Sequence, residues 1–315
     1  MIKRVCFILV STVLLFSFLY VITPISTLFQ FTVNVERSLS GLKLYNLEAG
    51  DLNIEYLRGG KGPPLVLLHG FGADKDNWAR VSGYLTEHFD VIAIDLPGFG
   101  NSTDTIDLDY DVFSQVSRLK TILDTLNIKV FNLAGSSMGG YIAGNFSAQY
   151  PERVINLWLI SPLGVGGSDE SEMFSAVRNG QNPMILPRTE LEFSQLLDFL
   201  FVERPFIPAP IVKYLAAKAE QRINLNTKIY EQIHNIKNRE AQFDSPLDTV
   251  LKYYKGPVLI TWGDNDRVLH LSGAKVLKHI LPQAQVTIMD RVGHLPMLER
   301  PEETAGYFLT FASAP

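Results

Sequence analysis

The chain has 315 residues, 46% of them hydrophobic and 19% charged, with a net charge of −5. So apolar and weakly charged a chain is not disordered, and its 23 Gly and 17 Pro follow no period, which excludes a collagen-like fibre. A single cysteine, Cys6, rules out a disulfide framework and a thiolate zinc site, and the lack of a Lys/Arg cluster beyond Lys3-Arg4 argues against nucleic acid as a partner.

After Lys3 and Arg4 no charge appears until Glu36. Within that gap Val5 to Ile22 reads VCFILVSTVLLFSFLYVI, eighteen residues without a strongly polar side chain. As a helix it would cover about 27 Å, close to the hydrocarbon thickness of a bilayer, and Pro24 would end it. The run is longer than the apolar part of a signal peptide and no A-x-A site follows, so residues 1–34 are expected to form an uncleaved single-pass anchor rather than a cleaved signal. Its terminal position and lack of a polar face argue against a buried core helix. Lys3 and Arg4 ahead of the span place the N-terminus in the cytoplasm and the chain beyond Asn34 outside, the periplasmic side in a bacterium. Secretion after signal cleavage is the alternative.

From Gly41 the pattern changes. Leu42–Glu48 and Asn53–Arg58 alternate like an antiparallel hairpin turning near Gly50-Asp51. Unbroken apolar strands follow at Leu65–Leu68, Val91–Ile94, Val130–Ala134, Val154–Ile160, Val258–Trp262 and Gln285–Met289, the composition of parallel strands covered on both faces. Helical patterns fall between them, at about 75–88, 110–127, 138–150, 271–281 and 302–312. The alternation predicts an α/β fold, a mostly parallel doubly wound sheet with an antiparallel start, preceded by the transmembrane helix. Between Ser161 and about Lys255 only helical stretches appear, at about 169–179, 189–203, 210–222 and 225–238. The core is therefore assigned to 35–162 and 256–315, and residues 163–255 to an inserted helical cap over the C-terminal edge of the sheet, where ligands bind in open α/β sheets.

Gly135-Ser136-Ser137-Met138-Gly139 fits G-x-S-x-G. The motif alone is weak, arising by chance in roughly one chain of this length in ten. Its setting strengthens it, because it follows the strand KVFNLA and opens the helical run MGGYIAGNFSAQY, the strand–turn–helix of a nucleophile elbow. Ser137 is the candidate nucleophile, and the off-centre Ser136 reads as structural. Of six histidines, His88, His234, His270 and His279 lie on helical or helix-edge segments and read as surface or half-buried residues. His294 sits in a Gly- and Pro-fixed loop after the last strand, which suits a ring aimed at one point, and is assigned as the base. For the carboxylate that orients it, Asp266 is preferred over Asp264, since the third residue past Gly263 can turn back into the cleft; Asp290 is the further alternative. His69-Gly70-Phe71-Gly72 ends an earlier strand and is assigned to substrate: Gly70 and Gly72 let backbone approach it, and His69 hydrogen-bonds the loop rather than moving protons. The amides of Phe71 and Met138 are the expected oxyanion donors.

The segments His69–Gly72, Asp95-Leu96-Pro97-Gly98-Phe99-Gly100-Asn101-Ser102, the elbow, Trp262–Asp266 and Gly293-His294 resemble the α/β-hydrolase superfamily over roughly residues 42–312. HGFGADKDNW, LWLISPLG, NPMILPRTELEFSQLLDFLF, WGDNDRVLHLSGA and GHLPMLERPEETA are similar to bacterial lipase 3-type triacylglycerol lipases and to the membrane-anchored monoacylglycerol lipases of animals. The resemblance implies a serine-hydrolase mechanism, a Ser137–His294–Asp266 triad, the acid being the last residue of G-x-x-D, and a lid-type cap. Two departures stand out: Leu269-His270-Leu271, where many relatives have Val-Pro, and the lack of the HGGG oxyanion loop of some lipases.

Asp107-Leu108-Asp109-Tyr110-Asp111 begins like a calcium loop but has Val112 where glycine is required, and reads as an acidic loop capping the next helix. No nucleotide-binding or H-E-x-x-H motif is present, so neither a cofactor nor a metal is expected. The expected activity is cleavage of acylglycerol esters, with the bilayer as the other partner. The apolar runs Phe199-Leu200-Phe201-Val202 and Phe206–Val212 in the cap fit a lipid substrate. Carbon–carbon bond hydrolysis on the same triad and a silent binding member of the fold are the alternatives.

Overall fold

A computed structural model describes residues 23–313. The expected span Val5–Ile22 lies outside the described residues; among those described, no helix is long and apolar enough to cross a membrane. The first element is helix α1 (Ile25–Leu39), which starts immediately after Pro24 and runs across the boundary expected at residue 34. It buries Val33 and Arg37 and leaves Phe31, Val35 and Leu39, spaced four apart, exposed along one face.

Strands β1 (Lys43–Ala49) and β2 (Leu52–Gly59) form the expected antiparallel hairpin. Next come β3 (Pro64–Leu68), a short 3-10 turn over Lys75–Trp78, α2 (Ala79–Leu85), β4 (Asp90–Ile94) and α3 (Val112–Thr125). Asp111 caps α3 by accepting from the amides of Phe113 and Ser114, the role expected of that acidic loop. Then follow β5 (Phe131–Ser136), α4 (Met138–Gln149) and β6 (Val154–Ile160). Between β6 and the next sheet strand lie α5 (Glu172–Arg178), α6 (Glu190–Leu200), α7 (Ala209–Gln221), α8 (Ile223–His234), a hairpin of β7 (Ile236–Lys237) and β8 (Glu240–Ala241), and α9 (Leu247–Val250). That hairpin was not anticipated. Its strands are two residues each, too short for an alternation pattern, and its turn rests on the left-handed backbone of Asn238 and Arg239. The chain closes with β9 (Val258–Gly263), α10 (Ser272–Ile280), β10 (Gln285–Met289), α11 (Pro296–Glu299) and α12 (Pro301–Ala312).

The eight-stranded sheet has the order β1-β2-β4-β3-β5-β6-β9-β10, antiparallel at the β1–β2 and β2–β4 pairs and parallel from β4 onward. Because side chains alternate across a strand, each continuous apolar run feeds two cores. Val66, Leu68, Ile92, Ile94 and Leu133 face one, and Leu65, Leu67, Val91, Ala93 and Ala134 face the other. In the second core Trp158 stacks on Phe308, ring centroids 4.7 Å apart and planes 9° from parallel, while its indole N–H donates to Thr261 Oγ1 at 3.0 Å. Ser137, Asp266 and His294 follow β5, β9 and β10, so all three stand at the C-terminal edge of the parallel strands.

Helix α1 does not sit apart from this body. Phe29 meets the ring of Tyr214 on α7 at 5.5 Å, Glu36 pairs with Arg80 of α2, and Arg37 forks onto Asp76.

Candidate active site

At the end of β5 the chain turns sharply through Ser137, whose φ of 54° and ψ of −117° lie outside the regions open to most L-residues. Such a backbone is strained by about 1–3 kcal/mol and persists because its surroundings hold it. The Ser137 amide donates to the Ile160 carbonyl of β6 at 3.0 Å, and the Ser137 carbonyl accepts from Leu163 at 2.9 Å and Tyr141 at 3.0 Å. The flanking glycines are required by close approach. A Cβ on Gly135 would stand 2.2 Å from the Gly139 carbonyl oxygen, and one on Gly139 would stand 2.2 Å from that of Leu68. Ser136 is fully buried, in keeping with a structural role, whereas Ser137 is half-buried and its hydroxyl makes no hydrogen bond among the described residues.

Asp266 follows β9, and its side chain is wholly buried. One carboxylate oxygen, Oδ1, accepts from the amides of Val268 at 2.9 Å and Leu269 at 3.0 Å; the other, Oδ2, lies 2.8 Å from Nδ1 of His294. A carboxylate only accepts, so Nδ1 carries the proton and Nε2 presents a lone pair. Asp264 instead bonds Asn265 and the Val292 amide, and Asp290 is exposed beside Arg291. Of the three carboxylates weighed, only Asp266 reaches His294.

His294 is fixed through its backbone as well. Its amide donates to the Leu200 carbonyl at the end of α6, and a Cβ on the preceding Gly293 would lie 2.4 Å from that same oxygen. Glu299, which the sequence reading did not single out, accepts from the amides of Gly293 at 3.0 Å and Glu203 at 2.8 Å. One carboxylate thus ties the histidine loop to the chain leaving α6. A Glu one turn past a Gly-His-x-Pro segment gives no pattern that would have marked it.

The loop after β3 lies against the elbow: a Cβ on Gly70 would come within 3.2 Å of the Ser137 Cβ. Gly72, at φ +70°, faces open space. Among the described residues the amides of Phe71 and Met138 donate to no protein acceptor, as expected for Met138 in the first turn of α4. His69 was expected to hydrogen-bond its loop, and it does; its grouping with the substrate-binding residues is what the structure corrects. Its ring is fully buried, Nδ1 donates to the Gly70 carbonyl at 2.7 Å, and Nε2 accepts from the Leu96 amide at 3.0 Å. No ring nitrogen is left for a ligand, and burial brings its pKa down to about 4. His69 braces the loop.

The Phe71 ring continues into the interior, edge-on to Phe99 at 5.6 Å and to Tyr230 of α8 at 6.2 Å. His234, expected to be a surface or half-buried residue, is fully buried beside Tyr230 with ring centroids 4.3 Å apart, and burial lowers its pKa to about 4. Helical position alone did not reveal that this face of α8 packs inward.

Known proteins frame the geometry. The family model of the alpha/beta hydrolase fold matches residues 63–301. Lipase 3 of Moraxella sp. (strain TA144) is 34% identical over 292 residues, covering 90% of this chain and 88% of its own. The mouse monoacylglycerol lipase ABHD6 is 30% identical over 265 residues, 82% of this chain and 77% of its own. A solved structure described as a membrane phospholipase A, a bacterial virulence factor, superposes with a TM-score of 0.87 at 40% identity, covering 98% of this chain and 97% of that one. With a strained strand–turn–helix at Ser137 and a His–Asp pair in the loops that follow two neighbouring strands of the sheet, this chain belongs to the α/β-hydrolase fold family and is a hydrolase of its lipase/esterase type.

Proposed function

We propose that the protein is a serine carboxylic-ester hydrolase that cleaves acylglycerol esters. The observation that carries this reading is the 2.8 Å contact between Asp266 and His294, at the same sheet edge as the strained turn of Ser137. Ser137 Oγ attacks the ester carbonyl while Nε2 of His294 takes its proton. The carbonyl oxygen becomes an oxyanion between the amides of Phe71 and Met138, and Asp266 stabilises the imidazolium. Collapse of this intermediate breaks the bond to the alcohol, which leaves with the proton from His294. Water, deprotonated by the same nitrogen, then attacks the acyl-enzyme and releases the fatty acid.

Ser137→Ala is the direct test. Loss of kcat on the order of 10⁶, by analogy with serine proteases, and loss of labelling by a fluorophosphonate probe are expected. Retention of most activity would overturn the reading.

Long acyl chains are the proposed substrates. Support comes from the lipase names of the relatives and from the apolar side chains Leu191, Val202 and Phe206, which the cap leaves exposed. A series of p-nitrophenyl esters from acetate to stearate checks this: an optimum at acetate or butyrate would reduce the protein to a plain esterase. We also infer that Val5–Ile22 anchors the protein, with the catalytic body on the extracytoplasmic side. The exposed row Phe31, Val35 and Leu39 on α1, directly after that segment, supports a position at the bilayer surface. Recovery of the full-length protein in the soluble fraction would refute it.

A further inference from the structure

Lys75 is 1% exposed, which is rare for a lysine. Its ammonium lies 2.6 Å from Glu55 Oε1, 2.9 Å from Asp95 Oδ2 and 3.7 Å from Asp76 Oδ2. Its backbone amide donates to the other oxygen of Asp95 at 2.7 Å, so Asp95 grips the residue at both ends. Asp76 in turn takes the guanidinium of the buried Arg37 on both oxygens, each at 2.6 Å. Asp95 follows β4, is wholly buried, and also accepts from the Asn101 amide at 2.9 Å. Burial works against the charge of Lys75, but the carboxylates of Asp95, Glu55 and Asp76 override it and leave its pKa above the ordinary lysine value.

These contacts bracket the loop that lies over Ser137. At one end the His69 ring accepts from the amide of Leu96; at the other Lys75 is held by Asp95. The two ends of residues 69–75 are therefore fastened to two consecutive residues of a single strand exit, and the Phe71 amide sits between the fastenings. Buried ion pairs gain little stability over well-packed apolar side chains, so stability alone does not account for three carboxylates and two cations at this place. What they do provide is direction, since each bond fixes a distance that an apolar contact leaves loose.

We infer that the ion chain Arg37–Asp76–Lys75–Asp95 positions the oxyanion loop, holding the Phe71 amide where charge develops in the reaction and linking that position to helix α1. None of these side chains touches the reacting atoms; they act through the loop backbone. The inference rests on the reading of Ser137 as nucleophile and Phe71 as an oxyanion donor. A misplacement of about 1 Å at a reacting centre costs on the order of a hundredfold in rate, and loss of one oxyanion donor on the order of a hundred- to a thousandfold.

The test uses the full chain with Lys75→Met, Arg37→Met and Arg37→Lys, and Arg153→Met as a control for stability. Arg153 bonds the carbonyls of Ile128 and Lys129 at the opposite edge of the sheet. Steady-state kinetics on p-nitrophenyl octanoate are read beside affinity for phenylboronic acid, which forms a tetrahedral adduct on the serine. In Lys75→Met, kcat should fall about tenfold to a hundredfold with KM within about twofold, and boronate affinity should fall in parallel. Arg37→Met should show the same pattern at about threefold or more, with Arg37→Lys recovering most of it, because a lysine keeps a charged donor for Asp76. Arg153→Met should lower the melting temperature and leave kcat unchanged. Folded Lys75 and Arg37 variants that keep kcat and boronate affinity within about twofold overturn the inference, provided Ser137→Ala is inactive; an active Ser137→Ala removes the underlying reading instead. Should Lys75→Met fail to fold, Arg37→Met and its lysine partner decide the matter alone.

Discussion

Asp266 meets His294 through Oδ2 alone, because Oδ1 is already held by the amides of Val268 and Leu269. That asymmetry determines what an amide would do in its place. In Asp266→Asn the side-chain oxygen stays with the two amides and the NH₂ faces Nδ1 of His294. Two donors cannot pair, so the ring takes the other tautomer and Nε2 becomes protonated. We expect kcat to fall on the order of 10⁴, as in serine proteases whose triad Asp is replaced. Asp264→Asn and Asp290→Asn should stay within about tenfold on the same ester assay; a larger loss in either would reassign the acid.

Gly70 offers a test of how closely the two loops meet. An alanine there places a methyl 3.2 Å from the Ser137 Cβ and 3.8 Å from Oγ, a contact relieved only by a shift of the loop or the hydroxyl. Gly70→Ala should lower kcat about tenfold or more while the melting temperature hardly changes. Gly139→Ala is different in kind, since its methyl would meet the Leu68 carbonyl at 2.2 Å and prevent the elbow from closing. Poor folding is the expected outcome there, visible as loss of expression or a collapsed melting curve.

His234 makes stability depend on pH. Its Nδ1 bonds the Tyr230 carbonyl at 2.8 Å, and burial lowers its pKa to about 4 from an ordinary 6.5. Between those values the unfolded chain binds the proton and the folded one does not, so this contribution is complete above about pH 6.5 and is lost as pH falls toward about 4. From pH 7 to pH 5 the loss is about 2 kcal/mol for one such ring. His69 adds to it for the same reason, while Asp74, raised to about 6 by burial and by the charges of Asp76 and Asp95, works in the opposite sense. His234→Gln keeps a donor for Tyr230 and should show a loss between these pH values smaller by about 2 kcal/mol in urea melts. Equal slopes for variant and wild type would clear His234 of the effect.

Tyr230 carries a hydroxyl that is buried without a partner among the described residues. A buried hydroxyl left unbonded costs about 1–3 kcal/mol, whereas the ring's edge contact with Phe71 at 6.2 Å does not involve it. Tyr230→Phe is therefore expected to be neutral or to stabilise by up to about 2 kcal/mol. A destabilisation beyond about 1 kcal/mol would mean that the oxygen has a bonding partner, such as an enclosed water.

How much of this was legible before the fold was known follows from what each feature demands of sequence. Strands such as Leu65–Leu68 and Val154–Ile160 are buried on both faces, and only continuous apolar runs satisfy that, so they could be read directly. The elbow could be read because backbone crowding at 135 and 139 admits only glycine. Asp266 was favoured over Asp264 by its place in the turn, a geometric argument that the bond to His294 matches. Lys75 and Arg37 went unnoticed because an isolated cation on a helical or loop segment reads as solvated, and nothing local shows that carboxylates from β2, from the turn after β3 and from the exit of β4 converge on it. Helix α1 was obscured by its neighbour: a long uncharged stretch draws the reader past Pro24, and the buried Arg37 breaks the apolar face that would have marked an amphipathic helix.

The attachment of α1 to the body decides where this chain can be shortened. A version beginning at residue 23 retains Phe29 against Tyr214 and the fork of Arg37 on Asp76. One beginning at Gly41 would leave Glu55, Asp76 and Asp95 to share Lys75, three acids around one base in a place water scarcely reaches. The first cut preserves charge balance under the loop beside Ser137, and the second removes it without touching Ser137, His294 or Asp266.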